Sequence, residues 1–100
     1  MISLTSKNNG NQIKIRVSGH AGAGPHGYDL VCAAVSALTQ SLEINAERAE
    51  TFDKAGLSEI DMPFCITNLV LYRSYLRSMQ VLADQYPDNI AIGDIAEEWE

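Results

Sequence analysis

Cys32 has the strongest claim to chemistry in this chain. Both histidines, His20 and His26, precede it within 12 residues. A thiol within hydrogen-bond reach of an imidazole is a nucleophile with its base. The imidazole takes the thiol proton, the sulfur attacks a carbonyl carbon, and the proton passes to the leaving amine. Spatial contact is required, not adjacency in sequence. The residues between His20 and Cys32 are rich in Gly, Ala and Pro, so that loop can fold the imidazole back onto the thiol. The competing reading is a small buried hydrophobe, the usual state of a free cysteine. Two features favour reactivity. On a helical wheel Cys32 lies about 120° from the centre of the apolar stripe Val31, Ala34, Val35, Leu38 and Leu42, and shares its side with Ser36, Thr39 and Glu43. With Asp29 as helix cap, Cys32 falls in the first turn, where unpaired N–H groups and the helix dipole stabilise a thiolate.

His20 directly follows a predicted strand, whereas His26 lies in the loop. A strand end holds a base in productive geometry better than a loop does, which favours His20 as the base. His26 is then left to touch substrate or solvent, together with Gly22, Gly24 and Gly27 of the same loop. Asp29 has two readings, helix cap or orienter of the imidazole, and capping suits a short acceptor before an apolar run. Ser36, one turn beyond Cys32, either hydrogen-bonds the thiolate or a substrate carbonyl, or bonds back to the Cys32 carbonyl. Cys65 has no His near it in sequence and reads as structural.

Composition narrows the function classes. The 100 residues suit a single domain, 1–100, able to fold without metal or disulfides. Net charge is −6, and the basic residues form no cluster. Phosphate-backbone binding needs clustered cations, so no direct nucleic-acid partner is expected. An acidic protein can still attract a basic protein partner. The opening residues lack a charged leader and a long apolar core, so no signal peptide is expected. No run approaches the ~18 apolar residues of a membrane span. Two widely spaced cysteines without export signals read as free thiols of the cytoplasm. No Cys or His spacing matches a zinc site, and no cofactor is called for.

The elements that must position these residues are legible in the patterning. Residues 2–6 alternate as a strand, 7–11 carry an Asn/Gly turn signal, and Ile13, Ile15 and Val17 mark a second strand with one apolar face. These two should pair as a hairpin. The loop 19–27 follows, then a helix starting near Tyr28 or Asp29 and running to about Asn45. Residues 48–54 and 57–62 read as strands around a turn at 54–56, with Ile60 and Met62 facing inward and Pro63 ending the second. A helix over 64–86 follows, with Ile66, Leu69, Tyr72, Leu76, Met79, Ala83 and Tyr86 on its apolar side, and Pro87 stops it. Ile90 and Ile92 mark a last strand before an acidic tail expected to fray. The order β-β-α-β-β-α-β predicts an α+β fold, an antiparallel or mixed sheet with two helices packed on one face.

Ser18-Gly19-His20-Ala21, followed by Asp29-Leu30-Val31-Cys32-Ala33-Ala34-Val35-Ser36-Ala37-Leu38, resembles the ribosomal-processing cysteine protease family, Prp. The likeness extends over nearly the whole chain, including the element order and Gln85-Tyr86-Pro87 before the last strand. It implies a cytoplasmic homodimeric endopeptidase with a Cys–His dyad, which maps onto Cys32 and His20. It also implies a glycine-rich loop that orders over bound peptide. The implied substrate is a large-subunit ribosomal protein precursor, cut after an aromatic residue to remove a short N-terminal extension. Phage capsid or scaffold proteins with a similar motif are the implied alternative, and a non-catalytic dimeric peptide-binding module of the same fold is the competing reading.

Overall fold

The computed structural model describes residues 1–19, 26–54 and 56–93. Its elements are β1 (Ile2–Asn8), β2 (Gln12–Ser18), α1 (His26–Asn45), β3 (Glu50–Lys54), β4 (Leu57–Pro63), α2 (Ile66–Gln85) and β5 (Ile90–Gly93). This is the expected order. The five strands form one mixed sheet in the order β3-β4-β2-β1-β5, antiparallel except for the parallel pair β1 and β5.

Period-two patterning sets the two faces of the sheet. Ile2 and Leu4 of β1, Ile13 and Ile15 of β2, Ile60 and Met62 of β4, and Ile90 of β5 are buried on one side. Val31, Val35 and Leu42 of α1 and Tyr72, Tyr75, Met79 and Ala83 of α2 complete the same core. Each fully buried aliphatic side chain contributes about 1.5–3 kcal/mol relative to exposure, so this layer holds both helices on one face. The β1–β2 turn forms as its residues dictate: Gly10 has φ +88°, and Asn9 Oδ1 accepts from the N–H groups of Asn11 and Gln12.

The outer face is polar. Arg16 Nε donates to Glu59 Oε1 across β2 and β4 at 2.8 Å. Burial pushes the Glu59 carboxyl upward, but hydrogen bonds from Arg16 and Asp61 and the charges of Arg16 and Lys14 outweigh it, so the net direction is down. Asp61, on the same face, is raised to about 6 by burial, then by its hydrogen bond with Glu59 and the Glu59 and Glu50 charges, with Lys14 opposing. Among the described residues, its Oδ1 is buried without a hydrogen-bond partner.

The helix stripes differ in part from the pattern expected. On α2 the buried residues are Asn68, Tyr72, Tyr75, Met79 and Ala83, whereas Ile66 is 80% and Tyr86 41% exposed. The inward line therefore passes through Asn68, which an apolar pattern skips. Asn68 is fully buried because its amide is satisfied: it accepts from Glu47 N at 2.8 Å and donates to Glu47 O at 3.0 Å and Pro63 O at 2.9 Å. It ties the segment after α1 to the end of β4. On α1, Thr39 is buried as well. Its hydroxyl donates to Val35 O at 2.8 Å, which leaves Thr39 Oγ1 to accept from Tyr75 Oη at 2.9 Å. Burial, with the nearby Glu43 charge adding and the Thr39 bond opposing, pushes Tyr75 up to about 12, so the phenol keeps its proton.

Candidate active site

The helix that carries Cys32 opens three residues before Asp29. α1 begins at His26, so His26 and Gly27 belong to the helix rather than the loop, and Asp29 is its fourth residue rather than its cap. Cys32 is then the seventh residue, in the second turn. A proline directly before His26 is the sequence signal for this earlier start, since Pro is favoured where helices open. The unpaired N–H groups of the helix start fall in the first turn, and the dipole weakens beyond that turn, so helix position alone does not single out Cys32.

What does single it out is a cleft of about 570 Å³ between α1 and the β3–β4 hairpin. Cys32, Ser36, Thr39, Gln40 and Glu43 of α1 line one wall, at i, i+4, i+7, i+8 and i+11. The side shared by Cys32, Ser36, Thr39 and Glu43 on the helical wheel is therefore one continuous surface. The facing wall comes from the hairpin, with Asp53 and Lys54 on one limb and Leu57 and Ser58 on the other. Ile2, Val17 and Gly19 line it from the central strands. Cys32 is half-buried, with part of its surface against the core and part in the cleft, so both readings of this residue hold at once. Ser36 is exposed and lines the cleft. Among the described residues its hydroxyl makes no hydrogen bond, and the back-bond to a carbonyl is made instead by Thr39.

The end of β2 is held rigidly beside this cleft. Gly19 has φ +71°, and its N–H donates to Gly56 O at 2.9 Å. A Cβ on Gly19 would collide with the carbonyl oxygen of Met1, so no other residue fits there. His20 is the next residue in the sequence. His20, Gly22 and Gly24 lie outside the described residues. His26, Gly27 and Asp29 are placed by backbone alone, and the described side chains of α1 begin at Leu30.

Cys65 is placed differently. It is the N-cap of α2, with extended backbone at φ −155° and ψ 167°, and its Sγ accepts the Asn68 N–H at 3.5 Å. The sequence placed Cys65 at the helix start but not in this role, because Ser, Thr, Asp and Asn are the usual caps. Among the described residues no cluster of three His, Cys, Asp or Glu could hold a metal ion, and no helix is long and apolar enough to cross a membrane.

A domain of two helices on a five-stranded mixed sheet, with a thiol in an open cleft, has the architecture of a small cysteine peptidase. Residues 1–91 match the family described as cysteine protease Prp, and the chain belongs to that family. It is a cysteine-type peptidase. The crystal structure of SMU.848 from Streptococcus mutans is similar at 26% identity and a TM-score of 0.76, covering 95% of this chain and 94% of that one. The ribosomal processing protease Prp from S. aureus shares the fold. Its complex with a covalently linked product peptide aligns at 24% identity and TM-score 0.75, and its substrate-peptide complex at 23% and 0.72. Each covers 94% of this chain and 99% of the S. aureus protein. No curated protein matches the chain.

Proposed function

We propose that this chain is a processing endopeptidase that removes a short N-terminal extension from a large-subunit ribosomal protein, cutting after an aromatic residue. Cys32 is the nucleophile and His20 the base. The observation that carries this reading is that Cys32 and Gly19, the residue before His20, line the same cleft. That shared lining supports His20, the next residue after Gly19 in the chain, as the base, since a nucleophile and its base need hydrogen-bond reach rather than adjacency in sequence.

The Cys32 sulfur attacks the scissile carbonyl carbon as its proton passes to His20. The tetrahedral intermediate collapses when the imidazolium protonates the leaving amine, leaving a thioester on Cys32. Water, deprotonated by His20, then releases the acid and restores the thiol. Unpaired N–H groups at the start of α1 supply donors for the oxyanion. Gly22 and Gly24 contact the bound peptide, and Ser36 offers it a hydroxyl. A net charge of −6 suits a basic ribosomal substrate. The protein acts in the cytoplasm, as a homodimer. The test is incubation with the precursor ribosomal protein and with phage head proteins, reading the cut by mass spectrometry. Removal of the ribosomal extension after an aromatic residue supports the proposal. Cleavage of the phage proteins alone reassigns the substrate, and cleavage of neither overturns it.

A further inference from the structure

The hydrogen bonding of β2 continues one step past its last paired residue. Ser18 pairs with Leu57 of β4, and the Gly19 N–H then donates to the Gly56 carbonyl at 2.9 Å. β2 lies between β4 and β1 in the sheet, so Gly19 has a neighbour on each side. On the β1 side the Met1 carbonyl fills the space a Cβ would need. On the β4 side the Gly56 carbonyl supplies the hydrogen bond that holds this backbone. Gly56 itself has φ +78°. That conformation is open to Gly, tolerated by Asn and Asp, and strongly disfavoured for a β-branched residue. The place of its carbonyl, and with it the bond to Gly19, depends on there being no side chain at 56. Both glycines line the cleft with Cys32, and Leu57 and Ser58 of the same hairpin form its facing wall. One turn therefore both shapes the cleft and tethers the strand end that leads into His20.

We infer that Gly56 is a positioning residue for the base: its left-handed turn aims the carbonyl that fixes Gly19, and so sets the backbone from which His20 serves the Cys32 thiol. The inference rests on the reading of His20 as the base and adds to it a residue from a different part of the chain. Gly56 contributes no reacting atom and acts through Gly19. A reacting pair misplaced by about 1 Å can lose about a hundredfold in rate, so a small shift of this tether is measurable. Gly10 supplies the control. It lies in the turn at the other end of β2 with φ +88°, and nothing beyond its own chain neighbours comes within 4 Å of a Cβ placed there. A side chain at Gly10 brings a similar backbone strain and leaves the cleft untouched.

The experiment compares the full chain with its Gly56→Val, Gly56→Asn and Gly10→Val variants. Hydrolysis of a cut-site peptide gives kcat and KM. On the same proteins, mass spectrometry gives the rate of iodoacetamide alkylation at Cys32 relative to Cys65. Gly56→Val should lower kcat by roughly 10–100-fold with KM within about threefold, and should lower the alkylation ratio by roughly tenfold. A turn that was merely loosened would expose the thiol and raise that ratio, so a fall reports lost activation. Gly56→Asn should bring both readouts back to within about threefold of native, and Gly10→Val should leave both within about twofold. In a His20→Ala background, Gly56→Val should change the ratio no further, because the group it positions is gone. Circular dichroism confirms that each variant is folded, and Gly56→Ala replaces Gly56→Val if the latter is not. A folded position-56 variant with native kcat and native ratio overturns the inference and leaves the peptidase reading standing, as does an effect that persists in His20→Ala. A His20→Ala chain with native kcat and native ratio overturns the base assignment and this inference together.

Discussion

The two thiols make the most instructive comparison in the molecule. Cys32 and Cys65 are both free and both half-buried, and each stands near the start of a 20-residue helix. Cys65 occupies the helix terminus itself, yet its sulfur is engaged as a cap. Cys32, the seventh residue of its helix, sits about two turns further in and opens onto a cleft. Nearness to a helix N-terminus, which first drew attention to Cys32, therefore describes Cys65 better. Access to a substrate-sized space and proximity to the end of β2 separate the two. Helix position is a local property, whereas a working nucleophile is defined by what faces it from other elements.

The comparison is broken most forcefully on the Cys32 side through its proposed base. His20→Ala should lower kcat/KM by about 10²–10⁴-fold, the usual contribution of a general base, while His26→Ala should change it by no more than about threefold. The opposite ranking, read in the same steady-state assay, would move the base from the strand end to α1.

On the Cys65 side the expected effects are on stability. Asn68→Ala removes three hydrogen bonds from a fully buried site and leaves the Pro63 and Glu47 backbone groups without that partner. It should cost about 2–3 kcal/mol in urea denaturation. An effect below ~0.5 kcal/mol would mean that the tie between the two helix ends is not needed.

Next in size is a pH effect on β4, the strand that leads into Cys65. The folded-state carboxyl of Asp61 is raised from 3.8 to about 6. The native state thus holds this proton more tightly than the unfolded chain does. The stabilisation is fully present below about pH 4 and is lost as pH rises through 6. Asp61→Asn should raise the urea midpoint at pH 7.5 and leave it nearly unchanged at pH 4. A gain confined to pH 4 would reverse the assignment. The smallest effect is at Cys65 itself. Replacement by Ala should cost about 0.5–1 kcal/mol and replacement by Asp should recover that loss. Equal stability of all three would deny the thiol its capping role.

The comparison also shows which features a sequence can disclose. Strand faces were legible because period two places Ile13 with Ile15 and Ile60 with Met62, whatever lies opposite. The side of α1 shared by Cys32, Ser36, Thr39 and Glu43 was legible for the same reason, being a property of one helix. Three things were not. The early start of α1 was masked by Asp29, a good cap in isolation that competes with the proline before His26. Asn68 broke the apolar pattern of α2, because burial of an amide depends on carbonyls at Pro63 and Glu47 that only the fold brings near. The wall formed by Asp53 was hidden because β3, with no buried residue, carries little pattern of its own. Its role comes from pairing with β4.

The most direct measurement is hydrolysis of one peptide containing the precursor cut site by three proteins side by side: the native chain, Cys32→Ala and Cys65→Ala. The account predicts that Cys32→Ala loses cleavage by at least about a thousandfold with an unchanged circular dichroism spectrum, while Cys65→Ala stays within about threefold of the native rate. Cleavage retained by Cys32→Ala, or lost in a folded Cys65→Ala, would contradict it.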